Sequence, residues 1–230
     1  MTGYVDIRVT SDSLLSKIFR EGLDSGDRIL YRGQSDASWR ITASFDRFAS
    51  GNLVKRQRDY EEFFLKFKKR YLMRYADGLS EEQLGALAQH YGLRTRFIDW
   101  TEKPYIALFF ACSPASEKKE CAIYRLNLSS MERNISSTDF SLIGADANIN
   151  ARLNMQRGYL LRNTSNYDSF EGYLNSRSDI PEGILTKFVI SKSIRKTLAQ
   201  NLELMGIGYS SLFDGLEYLA LEINQSKFGI

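Results

Sequence analysis

The sequence predicts an α+β fold in which small mixed or antiparallel sheets are flanked by helices. The chain has 230 residues, of which 43% are hydrophobic, and this is enough to bury a full core. Segments with the two-residue period of strands are interspersed with segments that have the 3.6-residue period of helices. No repeat, linker or low-complexity run divides residues 1–230, so we expect one domain.

The first fifth of the chain predicts two strands and a helix. Residues 4–9 (YVDIRV) alternate like a short strand, and residues 11–26 then space their apolar side chains at helical intervals behind a serine N-cap. Residues 28–31 (RILY) form a second candidate strand. Residues 35–47 have the composition of a loop with a few extended residues.

The middle of the chain predicts three helices around one extended segment. Residues 59–75 place aromatic and leucine side chains on one stripe and basic side chains mostly on the other, which indicates an amphipathic helix. Ser80 and Gln83 have the spacing of a capping box, and the helix that they open should end near Gly92. The extended segment RTRFIDW follows, and Pro104 then suits the first turn of an almost wholly apolar helix.

The last part of the chain predicts two further strands and two helices. The strands are CAIYRLNL at residues 121–128 and LTKFVIS at residues 185–191. The polar stretch between them is poorly periodic except around residues 155–161, and a stretch of this length usually contains functional structure. One helix should end at Gly206, and another should begin at Asp214.

Composition excludes several classes of function. The net charge of +3 is too small to indicate general binding to nucleic-acid backbones. Cys112 and Cys121 have the spacing of neither a zinc site nor a disulfide framework, and His90 is the one histidine, so we expect no metal. The chain has neither an apolar run long enough to span a membrane nor a secretory leader, so we expect a soluble, cytoplasmic protein without a membrane partner.

Two residues at predicted element ends are candidates for binding an anion. Arg32 follows a strand and precedes Gly33, so its planar guanidinium could hold a diphosphate while the glycine lets the backbone approach closely. The alternative is a structural arginine that pairs with Asp36 or Asp46. His90 lies at a helix C-terminus, where the macrodipole favours its cationic form, and the alternative is a half-buried capping histidine.

The segment before the apolar helix combines guanidinium, hydroxyl, carboxylate and indole groups, which is the chemistry of a binding pocket. These residues are Arg94, Thr95, Arg96, Asp99, Trp100 and Thr101. On a strand the two arginines and the acid would face opposite sides. Asp99 or Thr101 could instead cap the next helix. Gln156 could orient a ribose hydroxyl, although an amide cannot act as a general base at neutral pH.

Several sequence blocks together resemble one bacterial family. The blocks are YRGQ at residues 31–34, QHYGLRTRFIDWT at 89–101 continuing through Pro104 to ALFFA at 107–111, NMQRGY at 154–159 and SLFDGL at 211–216. Their pattern resembles the FRG domain, which is named after its (Phe/Tyr)-Arg-Gly motif. The resemblance covers most of the chain. The closing block departs from the family because it lacks a proline between Phe213 and Asp214.

The order of these residues is also similar to that of ADP-ribosyltransferase-like folds. In those folds an arginine at the end of the first strand binds NAD. A hydroxyl-bearing segment precedes an apolar helix, and a later strand contributes an acid or a glutamine. Arg32, residues 99–101 and Gln156 follow that order. The likeness implies an enzyme that uses NAD as its substrate, as an ADP-ribosyltransferase or a NAD glycohydrolase. A bacterial toxin or defence effector with a protein or nucleic-acid acceptor is implied as well.

The resemblance assigns roles residue by residue. Arg32 would bind the diphosphate, Gln156 would orient the reacting ribose, and Asp99 would face the developing positive charge, with Glu217 and Glu222 as outside candidates. The expected catalytic residues are Arg32, His90, Asp99 and Gln156. The expected NAD-binding residues are Arg32, Gly33, Gln34, Tyr91, Arg94, Thr95, Arg96, Trp100, Thr101 and Tyr159.

Two alternatives stay open at this point. The same cleft could belong to a non-catalytic module that binds a nucleotide or RNA, aided by the basic helix face of residues 66–74. Such a basic run is also typical of an ordinary solvated helix face. Alternatively, the chain could be a protein-interaction domain in which the signature residues only hold a polar core together.

Overall fold

The structure is a computed structural model that describes residues 4–75, 78–112, 119–144 and 157–213. Within these ranges it contains nine helices and one mixed sheet of seven strands. The predicted α+β class is therefore confirmed, with a single sheet in place of several small ones. None of the helices in these ranges is both long enough and apolar enough to cross a membrane.

The strands and helices are short and are mixed along the chain. The strands are β1 Tyr4–Val9, β2 Ile29–Gln34, β3 Phe97–Thr101, β4 Cys121–Asn127, β5 Phe140–Gly144, β6 Gly158–Asn163 and β7 Leu185–Ile190. The helices are α1 Asp12–Asp24, α2 Ser44–Phe48, α3 Leu53–Leu72, α4 Glu81–His90, α5 Pro104–Cys112, α6 Leu128–Asn134, α7 Phe170–Asn175, α8 Lys192–Leu204 and α9 Tyr209–Leu212.

The sheet has one weak seam, and this seam positions the candidate site. The strand order is β1-β7-β4-β2-β3-β6-β5, with β1 and β7 parallel and all other neighbours antiparallel. Strand β2 pairs with β4 along its whole length, but it pairs with β3 only where Tyr31 meets Thr101. Beyond that pair, the last three residues of β2 and the first four of β3 separate, so a cleft opens between them.

The two faces of the sheet are covered by different helices. Leu30 and Trp100 belong to a buried cluster that includes Phe170 of α7. Tyr31 belongs to the opposite cluster, which includes side chains of α1, α5 and α8. Because side chains alternate along a strand, Arg32 and Gln34 share the face of Leu30 and Trp100.

Gly33 allows helix α5 to pack directly on β2. A Cβ atom at this position would lie 1.8 Å from the carbonyl oxygen of Ala107 and 2.6 Å from the backbone nitrogen of Ala111. Any side chain larger than hydrogen would therefore push the helix away from the strand. The sequence predicts that Gly33 allows a ligand to approach the backbone, whereas the structure shows helix α5 in contact with this glycine.

Local sequence signals predicted most of the helices and strands. Some observed boundaries differ from the predicted ones. The capping box of Ser80 and Gln83 is present at the start of α4. Helix α3 begins at Leu53, earlier than predicted, because the side chain of Asn52 caps it. The predicted loop at residues 35–47 contains the start of α2, and the long polar stretch contains β5, β6 and α7. The helix predicted from Asp214 lies outside the described residues.

Candidate functional site

The cleft at the seam has two connected compartments. The larger is a cavity of about 400 Å³, which we call the ring compartment, and it is lined by the end of β2, by β3, by the C-terminal half of α4 and by α5. The smaller recess has a volume of about 200 Å³, and we call it the arginine recess. Four residues line both compartments, namely Arg32, Arg47, Gln89 and Asp99.

Arg32 lies across the seam between the two strands. Its Nη1 donates to the backbone carbonyl of Asp99 at 2.7 Å, an oxygen on the edge of β3 that faces the seam. Its Nε atom is buried and has no hydrogen-bond partner among the described residues. Asp36 and Asp46, the acids that could have paired with it, each form an ion pair with another basic side chain. Arg32 is therefore not held as half of a structural ion pair.

The arginine recess is lined by three arginines and by one carboxylate, that of Asp99. Arg32, Arg47 and Arg94 line the recess, and none of them has a carboxylate within 4.0 Å in the described part of the chain. Burial lowers the pKa of Arg32, and the Asp99 carboxylate opposes this change. The guanidinium stays protonated because arginine is so strong a base. The recess is therefore suited to an anion such as a phosphate.

The ring compartment is bordered by aromatic side chains. Trp100 is buried in its wall, and Phe110 lines it from α5. Trp39 lines it with a side chain that is 51% exposed. The hydroxyl of Tyr124 donates to the Trp39 carbonyl at 2.9 Å, and this bond restrains the backbone at Trp39. A planar ring could stack against these side chains.

The acid of the site is held by a neighbouring amide. Gln89 donates through Nε2 to Oδ1 of Asp99 at 2.7 Å, and its own carbonyl accepts from the hydroxyl of Thr95. Because both ends of the amide are occupied, Gln89 is fixed in place and holds Oδ1 of Asp99. Asp99 is the one carboxylate among the residues that line the two compartments.

A comparison with protein families identifies the segment that builds this cleft. The family model of the FRG domain matches residues 27–120. The segment that builds the cleft is therefore similar to an FRG domain. Apart from Leu160, every residue that lines the two compartments lies inside the matched segment. No curated protein and no solved structure matches the chain.

Most residues expected from the sequence lie at the cleft. The ring compartment is lined by Arg32, Gly33, Gln34, His90, Asp99, Trp100 and Thr101, and Arg94 lines the recess. Thr101 also accepts from the backbone N–H of Lys103 at 3.0 Å, at the entry to α5. Its hydroxyl therefore stabilises the turn that leads into α5.

Four expected residues lie outside the lining of the cleft. Arg96 is 3% exposed and forms an ion pair with the buried carboxylate of Asp46 at 3.0 Å. Thr95 is fully buried, and Tyr91 is 79% exposed beyond the end of α4. The hydroxyl of Tyr159 donates to Glu102 at 2.6 Å, an interaction that raises its pKa.

Three candidate residues lie outside the described part of the chain, and three residues that were not expected line the cleft. Gln156 lies outside the residues that the structure describes, as do Glu217 and Glu222. Trp39, Arg47 and Gln89 line the cleft and were not among the expected site residues. Within the described ranges, no group of three His, Cys, Asp or Glu side chains is arranged to hold a metal ion.

Proposed function

We propose that this protein binds NAD in the cleft at the seam and acts on it as an ADP-ribosyltransferase or a NAD glycohydrolase. One observation carries the proposal. Arg32 lies between a compartment bordered by aromatic rings and a recess of three arginines, and none of these arginines has a carboxylate partner in the described chain. A nucleotide offers the complementary groups, because it joins planar rings to a diphosphate.

The arginines suit a diphosphate better than they suit a carboxylate ligand. A guanidinium donates two parallel hydrogen bonds to a phosphate, and several guanidiniums can share the two negative charges of a diphosphate. Arg94 stacks its guanidinium over the ring of Phe48 at 3.5 Å, which limits its motion. A preorganised arginine loses less side-chain entropy when the anion binds.

Asp99 is the residue that could act on the bound nucleotide. When the bond between C1′ of the ribose and the nicotinamide nitrogen breaks, the electron pair leaves with nicotinamide and positive charge develops at C1′. A carboxylate nearby stabilises that charge until water or an acceptor nucleophile forms the new bond to C1′. Asp99 borders both compartments, and Gln89 holds its Oδ1. It is therefore our candidate for this role.

The release of nicotinamide tests the proposal. The protein is incubated with NAD, with and without protein and nucleic-acid acceptors, and free nicotinamide and acceptor mass are followed. We expect release, and we expect Asp99→Asn to reduce its rate by about a hundredfold while the NAD affinity changes by less than about threefold. Asp179→Asn is the matched control, because that carboxylate is exposed and pairs with Arg177 away from the cleft.

The outcomes separate catalysis from binding. NAD affinity without nicotinamide release under all conditions would contradict the enzymatic part of the proposal and would favour a non-catalytic nucleotide-binding module. The absence of both affinity and release would contradict the whole proposal. An equal loss of rate in Asp99→Asn and Asp179→Asn would show that Asp99 has no special role.

A further inference from the structure

Two side chains that line the ring compartment carry buried polar atoms that the described protein leaves unpaired. The carbonyl oxygen Oε1 of Gln34 and the indole nitrogen Nε1 of Trp100 are both buried without a hydrogen-bond partner. Gln34 is 5% exposed and Trp100 is 2% exposed, so water reaches neither side chain freely. A buried polar atom without a partner costs about 1–3 kcal/mol, and folded proteins contain few of them. Both atoms belong to side chains that line one cavity, and a ligand bound there could supply the partners.

The orientation of the Gln34 amide is fixed by its other end. Nε2 donates to the carbonyl oxygen of Arg40 at 3.2 Å, and only the nitrogen of the amide can make that bond. The unpaired atom of Gln34 is therefore an acceptor, whereas the unpaired atom of Trp100 is a donor. Both side chains lie on the sheet face that also carries Arg32.

We infer that Gln34 and Trp100 recognise an amide-like edge on the ring that enters the compartment, meaning an amino group beside a hydrogen-bond acceptor. Gln34 would accept from the amino group, and Trp100 would donate to the acceptor. This inference rests on the proposed function, because NAD carries two such edges. One is the carboxamide of nicotinamide, and the other is the amino group and neighbouring ring nitrogen of adenine.

Tyr31 provides a matched control in the same strand. Its hydroxyl is also buried without a hydrogen-bond partner in the described residues. However, a Cβ atom at Gly22 would lie 2.1 Å from that oxygen, so the hydroxyl faces α1 on the opposite side of the sheet. Replacing Tyr31 by Phe removes an unpaired buried polar atom of the same strand without touching the proposed recognition pair.

The test compares NAD with two analogues by calorimetric titration of the wild-type protein. In 3-acetylpyridine adenine dinucleotide a methyl ketone replaces the carboxamide, and in nicotinamide hypoxanthine dinucleotide a carbonyl replaces the adenine amino group. We expect one analogue to bind at least about fivefold more weakly than NAD, because one buried hydrogen bond is lost. The analogue affected identifies the ring that occupies the compartment. The ratio of the analogue's dissociation constant to that of NAD should fall below about twofold in Gln34→Leu. In Tyr31→Phe the same ratio should stay as it is in the wild type.

Each remaining outcome argues against the inference. Both analogues binding within fivefold of NAD would overturn the inference and leave the proposed function intact, whereas no NAD binding at all would overturn both. The inference would also be overturned if the ratio of the two dissociation constants were the same in Gln34→Leu as in the wild type. If Gln34→Leu unfolds because it loses its bond to Arg40, Trp100→Phe replaces it in the test. This variant should weaken NAD binding about tenfold relative to Tyr31→Phe, and equal affinities of the two variants would overturn the inference.

Discussion

Replacing Gly33 by Ala tests the packing that builds one wall of the cleft. The added Cβ would lie 1.8 Å from the carbonyl oxygen of Ala107, and real Cβ contacts are essentially never shorter than 3.0 Å. Strand β2 and helix α5 must therefore separate by roughly 1.2 Å, and the obstructing atoms are backbone atoms that cannot rotate away. Overpacking in a core costs about 1–3 kcal/mol, and we expect the upper end, about 3 kcal/mol.

Urea unfolding followed by circular dichroism measures this cost. With a slope of about 3 kcal/mol per molar urea, a loss of 3 kcal/mol lowers the unfolding midpoint by about 1 M. Gly144→Ala is the control, because its Cβ would make only an ordinary contact at 3.8 Å with the ring of Tyr159. We expect that control to change the stability by less than about 0.5 kcal/mol. Equal midpoints for Gly33→Ala and the wild type would refute the close contact between α5 and β2.

Two further predictions concern buried charges. Arg96→Met leaves the buried carboxylate of Asp46 without its ion-pair partner. We therefore expect the free energy of unfolding, measured by urea titration, to fall by about 3–5 kcal/mol. An unchanged unfolding midpoint would contradict the structural role of Arg96. Burial raises the pKa of Glu171 above its ordinary 4.5, so the folded state holds this proton more tightly than the unfolded state. Wild-type stability should therefore decrease as the pH rises from 4.5 through the raised pKa. Glu171→Gln should show a smaller decrease in melting temperatures measured across that range, and identical pH profiles of the two proteins would contradict the prediction.

The parts of the fold that the sequence predicted are those fixed by local interactions. The capping box of Ser80 and Gln83 and the proline at the start of α5 involve residues close together in the chain. The seam between β2 and β3 depends on which strands become neighbours, and no local pattern encodes this. Helix α2 has only five residues, which is too short for a clear helical period.

The candidate site was predictable to the extent that its residues follow recognisable elements. Arg32 follows the predicted strand and belongs to a motif, so the sequence indicated it, although β2 continues to Gln34 and includes Arg32. The sequence could not decide whether Asp46 pairs with Arg32. Asp46 pairs with Arg96, and this contact forms only when the chain has folded. The same pairing explains why Arg96 lies in the interior while Arg94 and Phe97 line the recess. Trp39 precedes α2 in an irregular segment without any periodic pattern.

The affinity of the protein for NAD with and without Arg32 tests the central claim most directly. Isothermal titration of the wild type, Arg32→Ala and Arg177→Ala compares the cleft arginine with an exposed one that pairs with Asp179. We expect NAD to bind the wild type and Arg177→Ala alike, and we expect Arg32→Ala to weaken binding by about 10- to 100-fold, because it removes a charge-assisted contact worth about 1.5–3 kcal/mol. The melting temperature of Arg32→Ala should stay within a few degrees of the wild type, since the arginine makes only one hydrogen bond within the described protein. NAD binding that is equal in all three proteins, or absent from the wild type, would contradict the account.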